Sequence, residues 1–201
     1  MARQEFFLFA LVVLGLASCH ESAPLAEGPA VAVSGGATSA AASSSPSAEW
    51  LKPVTAKVYL AKSREMAKAW HADADLYQIA TSYAQADGTA SPKTDSSGFQ
   101  TAWEYLFYSK PAGKVFKVDV TEKGLQTRED FPLFPPAAFS PLPDDFVDSD
   151  RALEPARSGK WKLAYPVQMQ LSCMASAKPS WEIQSASGQH NVEAISGKVI
   201  M

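Results

Sequence analysis

The feature that most constrains folding is a long stretch, residues 20–48, with almost no side chains suited to a hydrophobic core. Of these 29 residues, 22 are Ala, Ser, Gly or Pro, so the segment cannot bury enough apolar surface to offset the entropy of ordering its backbone. We predict a flexible tether with a root-mean-square span of roughly 30 Å. All the tryptophans lie after it, so we expect the folded domain to begin near Trp50 and to contain about 150 residues.

A short apolar run precedes the tether. The run, Phe6–Ala17, is about a dozen residues long, whereas a helix needs roughly 20 apolar residues to cross the hydrocarbon core of a membrane. Arg3 stands before the run and small residues follow it, which is typical of a secretory signal peptide. We therefore expect the chain to be exported.

The end of this run, Leu-Ala-Ser-Cys at residues 16–19, resembles the lipobox of bacterial lipoproteins. The resemblance implies that residues 1–18 are a signal peptide that is removed. It also implies that Cys19 is lipidated and begins a tether over residues 19–49, so that acyl chains hold the protein on a membrane. His20 stands where an Asp would imply retention in the inner membrane, which favours the outer membrane of the cell envelope. The alternative is an ordinary secretory peptide with an incidental cysteine.

The charge of the chain argues against one class of partner. The 18 basic residues are scattered among 21 acidic residues, and the formal net charge is −3. A nucleic-acid-binding protein usually carries its Lys and Arg clustered on one face or in one segment. We therefore predict no nucleic-acid partner.

The first part of the predicted domain, residues 50–130, combines one helix with three strands. Residues 58–70 carry apolar side chains at helical spacing, and residues 76–84 alternate with period two. Residues 101–109 and 114–120 are rich in aromatic and β-branched side chains and are separated by the turn-forming Lys-Pro-Ala-Gly. The predicted order is helix, strand, strand, strand.

A connector follows at residues 131–147. Residues 131–146 hold five prolines and four phenylalanines, and prolines disfavour both helix interiors and central strands. The phenylalanines favour an extended connector that packs against the domain. A proline-rich ligand for another protein's groove is the alternative.

The last part, residues 148–201, repeats the order helix, strand, strand, strand. Asp148 is a plausible N-cap, and Pro155 predicts that the helix after it is short or kinked. Three strands are predicted at residues 165–173, 180–185 and 190–200. The sequence therefore predicts an α+β fold built from two helix-plus-three-strand antiparallel units. Trp-Glu followed by an apolar residue occurs near the start of the second strand in both units, about 75 residues apart, which favours an internal duplication.

These motifs resemble those of the PepSY and PepSY-like domains, secreted units of a helix packed on a short antiparallel sheet. The similarity lies in Trp103–Tyr105 and Val118–Gly124 of the first unit, and in Asp148–Ala156, Trp181–Ile183 and Val192–Gly197 of the second. Pro155 and Glu193 depart from the family pattern. The resemblance implies a non-catalytic binding or regulatory module of the cell envelope, with no catalytic residues and no cofactor. A peptidase-modulating module is the alternative, because some such domains accompany peptidase propeptides.

A metal-dependent enzyme is a further hypothesis. His71, Asp73 and Asp75 alternate, so a strand there would direct all three side chains to one side, where they could bind a metal. No second His or Cys cluster completes a ligand shell, and no catalytic motif occurs in the sequence. We therefore predict neither an enzyme nor a metal site, with this segment and His190 exposed to solvent.

Alternation also predicts which side of the second unit is open. Cys173 falls with Met169 and Leu171 on an apolar face, so we expect a buried thiol. Trp181 and Ile183 alternate with polar residues, which is the pattern of a strand with one buried face and one solvated face. The candidate contact surface for an unidentified envelope protein or peptidase comprises Gln168, Gln170, Glu182 and Gln184.

Overall fold

The computed structural model describes residues 50–95, 98–129, 138–175 and 177–200. All of them belong to one compact unit of the chain, residues 42–201. The predicted signal peptide, Cys19, the tether, residue 130 and residues 131–137 of the connector lie outside the described residues. No helix in the described ranges is long and apolar enough to span a membrane.

The described residues form three helices and ten strands. The elements are α1 Leu60–Trp70, β1 Asp75–Ala84, β2 Lys93–Asp95, β3 Gly98–Gln100, β4 Glu104–Ser109, β5 Lys114–Thr121, β6 Gly124–Glu129, α2 Ser149–Ala152, α3 Glu154–Arg157, β7 Val167–Ser172, β8 Ser180–Ser185, β9 Gly188–Glu193 and β10 Val199–Ile200. The predictions of α1, β1, β4, β5, β7 and β8 are confirmed to within a few residues. The predicted short or kinked helix is found as two pieces, α2 and α3, with Pro155 in the first turn of α3.

Eight of the strands form one antiparallel sheet in the order β10-β9-β8-β7-β1-β4-β5-β6, and β2 pairs with β3 in a separate hairpin. The prediction of an α+β fold with two helix-plus-three-strand units is therefore wrong, because the protein is mainly β. Ile79 of β1 is paired with Tyr105 of β4 on one side and with Leu171 of β7 on the other. This second pairing joins the predicted strands of both units into one sheet.

Two turns explain why each predicted unit has four sheet strands and not three. Gly124, with φ of +102°, is the first residue of β6 and follows the turn after β5, and Gly197, with φ of +69°, lies between β9 and β10. Glycine adopts this left-handed conformation without a steric penalty. The predicted strand over residues 190–200 is therefore two strands, and the chain turns back once more in each half.

The core lies on one face of the sheet, which we call the covered face. Tyr105 and Phe107 of β4 and Trp181 and Ile183 of β8 are almost fully buried there. Trp70 of α1 stacks on a ring of the same face, that of Phe116, at 5.1 Å between centroids. The segments before α1 and α2 contribute backbone acceptors to this core. The Tyr105 hydroxyl donates to the carbonyl oxygen of residue 56 at 2.9 Å.

The two halves of the sheet correspond in register about the pair Ala80–Gln170. Ala80 is paired with Glu104 of β4, and Gln170 is paired with Glu182 of β8. Each of these glutamates follows a tryptophan whose indole Nε1 donates a hydrogen bond to a valine carbonyl oxygen. Trp103 donates to the carbonyl of residue 54 at 2.8 Å, and Trp181 donates to the carbonyl of residue 147 at 2.9 Å. The glutamates therefore occupy equivalent positions on either side of the central pair β1 and β7.

Candidate functional site

The second face of the sheet, which we call the open face, carries the residues that the alternation predicted to be polar. Gln168 and Gln184 are paired across β7 and β8 and are exposed, and Gln170 and Glu182 are the next pair, half-buried. All four line one concavity of about 320 Å³. The structure thus brings the whole predicted contact surface together in one place.

The concavity extends past β7 onto the first half of the sheet. Ala80 lies in register between Gln170 and Glu104, and its short side chain leaves space between these longer side chains. Other lining residues are Thr101, Ser82 and Tyr83. Glu104 is not among the predicted site residues, although the Trp-Glu motif that it shares with Glu182 indicates an equivalent position.

A second concavity of about 740 Å³ adjoins the first, since Gln170 and Glu182 line both. It runs toward β10 and includes the exposed side chains of Met174 and Ile200. At its edge, Lys178 Nζ lies 2.7 Å from Glu193 Oε1, and this hydrogen bond lowers the pKa of Glu193 below its usual value. The open face of the second half is therefore a continuous surface that is mainly polar over β7 and β8 and more apolar toward β10.

A network of charged side chains limits the first concavity on the side of β5. Lys117 Nζ lies 2.9 Å from Glu104 Oε2 and 3.1 Å from Asp119 Oδ1. Arg128 donates to the other oxygen of Asp119 through Nη2 at 2.8 Å, and this hydrogen bond raises the pKa of the guanidinium. Only 8% of the Lys117 side chain and 4% of the Asp119 side chain are exposed. Buried charges of this kind are stable because they are paired.

The surroundings of Glu182 are different. Among the described residues, its carboxylate has neither an ion pair nor a hydrogen bond, although it is half-buried. Its neighbours in register are Gln170 on β7 and Asn191 on β9, both uncharged. The charged residues that line the first concavity in the described part of the chain are Glu104 and Glu182, and both are acidic.

The residues of the metal hypothesis do not converge. His71 directly follows α1, and its ring meets that of Trp70 at 4.4 Å between centroids. β1 begins only at Asp75, so no strand runs through all three residues of the hypothesis. Asp73 accepts a hydrogen bond from Ser109 Oγ at 2.8 Å, and Asp75 lies 3.5 Å from Lys68 Nζ. In the parts of the chain that the structure describes, no three His, Cys, Asp or Glu side chains are grouped to hold a metal ion.

Cys173 and His190 complete the residues singled out in the sequence. Cys173 is buried and not in a disulfide, as predicted. Its Sγ lies 3.4 Å from the carbonyl oxygen of Ala177, and burial raises the pKa of the thiol. The prediction of an exposed His190 is wrong, because its ring stacks on Trp161 at 4.4 Å and is half-buried.

Comparison with known proteins identifies no relative. No family model, no curated protein and no solved structure matches the chain. The resemblance to PepSY-like domains therefore stays a prediction from short motifs, and one eight-stranded sheet is found where it implied a separate short sheet in each unit.

Proposed function

We propose that this protein is a lipid-anchored protein of the cell envelope, on the outer membrane, whose sheet binds an envelope partner without catalysing a reaction. The observation that carries the binding function is the concave open face over β7 and β8, where Gln168, Gln170, Glu182 and Gln184 lie together. The anchor and its membrane rest on the lipobox-like residues 16–19 and on His20. The partner is another envelope protein or a peptidase whose activity the protein modulates. No cofactor is part of the proposal.

The chemistry of the lining suits binding. A solvated polar face is common in antiparallel sheets, so polarity alone would carry little weight. Here, however, the face is concave and presents three glutamine amides within two adjacent strands. Each amide offers two donors and an acceptor, which is what an extended polypeptide needs to satisfy its backbone groups on leaving water.

The anchor is tested by replacing the cysteine of the lipobox. We expect Cys19→Ser to abolish lipid attachment and to leave a longer, unprocessed chain, because each buried CH₂ of an acyl chain contributes about 0.8 kcal/mol to membrane binding. Membrane fractionation and intact-mass measurement are the readouts. A shortened variant that still sediments with membranes would overturn the lipobox assignment.

The binding face is tested by site-specific photo-crosslinking in intact cells. A photoreactive residue in place of Gln184 should give adducts that mass spectrometry identifies as one envelope protein or peptidase. The matched control is the same residue in place of Glu65, which is exposed on α1 and should give none. Identical adducts from both positions, or no adducts from either, would overturn the proposed contact face.

A further inference from the structure

Of the two equivalent glutamates of the open face, Glu104 has a counter-ion and Glu182 has none within the described residues, and this difference indicates what the protein binds. In the first half, Glu104 is neutralised by the ammonium group of Lys117 at 2.9 Å. Lys117 lies on β5, where it is paired with Leu106 of β4. The fold thus contains one example of a glutamate at this position with its counter-ion in place.

In the second half, the position equivalent to Lys117 holds an uncharged residue. The residue equivalent to Leu106 is Gln184, since Leu106 is paired with Gln78 of β1 and Gln184 with Gln168 of β7. Gln184 is paired in turn with Gln189 of β9. Gln189 therefore stands where an ammonium group stands in the other half.

Glu182 consequently presents a carboxylate without a counter-ion at the join of the two concavities. We infer that a binding partner supplies the missing cation. The partner is a basic, extended polypeptide segment that passes over Gln189 and places a lysine or arginine side chain against the carboxylate of Glu182. This inference rests on the proposed function and adds the chemical class of the partner.

The energetics favour a cationic group over a neutral one at this position. A neutral partner that covered the open face would remove water from Glu182 without compensating its charge, which is costly. An ammonium or guanidinium group compensates it, as Lys117 does for Glu104. The amides of Gln168 and Gln184 lie beside the carboxylate and are available to hydrogen bond with the backbone of the same segment.

The direct test is an NMR titration of the full chain with two synthetic octapeptides of alternating serine and lysine, one unmodified and one with every lysine Nε-acetylated. We expect the unmodified peptide to shift the amide signals of β8 and β9. The acetylated peptide should bind at least about tenfold more weakly, because acetylation removes the lysine charge that would pair with the covered Glu182 carboxylate. Binding should weaken further with added salt. Equal affinity for the two peptides, or no shift with either at millimolar concentration, would overturn the inference.

Two variants locate the effect. Glu182→Gln keeps the shape of the side chain and should reduce binding of the lysine peptide about tenfold, whereas Glu154→Gln, which removes an equal charge from exposed α3, should not. Gln189→Lys should imitate Lys117, neutralise Glu182 and compete with the peptide. Thr127→Lys, an equal charge on the exposed edge strand β6, is its control.

Failure of the basic-segment inference can be distinguished from failure of the proposed binding function. If photo-crosslinking from position 184 identifies a partner that binds Glu182→Gln and Gln189→Lys as well as it binds the natural chain, the basic segment is rejected and the binding face stands. If position 184 gives no adduct that position 65 lacks, the proposed function itself fails.

Discussion

The indole rings of Trp103 and Trp181 meet edge to face in the core, with their centroids 6.2 Å apart and their planes at 72°. Trp103 immediately precedes β4, Trp181 is the second residue of β8, and each ring is fully buried. Each also donates a hydrogen bond to the backbone segment that precedes a helix, at residue 54 or residue 147. The pair therefore joins both halves of the sheet to the segments that cover it.

Replacing either tryptophan should destabilise the whole domain. Trp103→Ala and Trp181→Ala should each lower the free energy of unfolding by about 3 to 5 kcal/mol, the cost of removing a large buried aromatic ring. Trp181→Phe keeps most of the ring but leaves the carbonyl of residue 147 without its donor, and should cost about 1 to 3 kcal/mol. Urea denaturation followed by circular dichroism measures these values.

The controls for these variants lie on the opposite face of the same strand. Glu182→Ala and Gln184→Ala should leave the melting temperature nearly unchanged, because neither side chain makes a hydrogen bond or an ion pair within the described residues. A stable Trp181→Ala together with an unfolded Glu182→Ala would show that the strand register is incorrect.

The buried carboxylate of Asp119 should contribute strongly to stability. Asp119→Ala removes one of the two carboxylates beside the buried ammonium of Lys117 and should lower the free energy of unfolding by about 3 to 5 kcal/mol. Asp145→Ala, at an exposed position, should change it by less than about 0.5 kcal/mol. Equal effects of the two variants in urea denaturation would contradict the burial of the charged network.

Gly88 and Gly113 share a left-handed backbone but differ in their surroundings. Gly88 has φ of +81°, and a Cβ there would overlap the backbone of Asp150, whereas Gly113 has φ of +65° with no atom within 4 Å of an added Cβ. Gly113→Ala should therefore cost about 1 to 2 kcal/mol, from conformation alone. Gly88→Ala should cost about 1 to 3 kcal/mol more, since α2 must also move.

The two glycine variants are compared by their melting temperatures. Thermal unfolding monitored by tryptophan fluorescence ranks them, and Gly88→Ala is expected to melt at the lower temperature. If both melt together, α2 does not pack closely against residue 88.

Cys173 should be nearly unreactive in the folded protein. Desolvation raises the pKa of its thiol, and the thiolate that reacts with alkylating reagents is therefore scarcer than for an exposed cysteine at neutral pH. In Cys19→Ser, where Cys173 is the remaining cysteine, iodoacetamide labelling should be slow in buffer and fast in urea. Labelling that is equally fast in both solutions would place the thiol at the surface.

The sequence by itself determined where most strands and α1 lie and which way the side chains of several strands point. Alternation with period two is a local property of the chain, and it correctly separated Met169, Leu171, Trp181 and Ile183 from the polar residues between them. The same pattern placed the candidate contact residues on one face, and the structure brings them into one concavity. It also predicted the burial of Cys173.

Only the tertiary structure decided which strands are neighbours. A period-two pattern defines the two faces of a strand but not the strand beside it, and β1 pairs with β7 across about 90 residues of sequence. That pairing converts two predicted units into one sheet. It also places Glu104 and Glu182 in the lining of one concavity.

Whether the charged side chains of the open face are buried and paired is also decided by tertiary structure. Lys117 and Asp119 alternate with apolar residues, which in isolation indicates a solvated face, yet both are buried. Glu104 and Arg128 from adjacent strands pair with them and offset the cost of burying their charges. Glu182, like Glu104, follows a tryptophan and precedes an apolar residue, but it has no cation beside it in the described residues. Whether a charge is compensated depends on residues distant in sequence, and only the folded sheet brings those residues together.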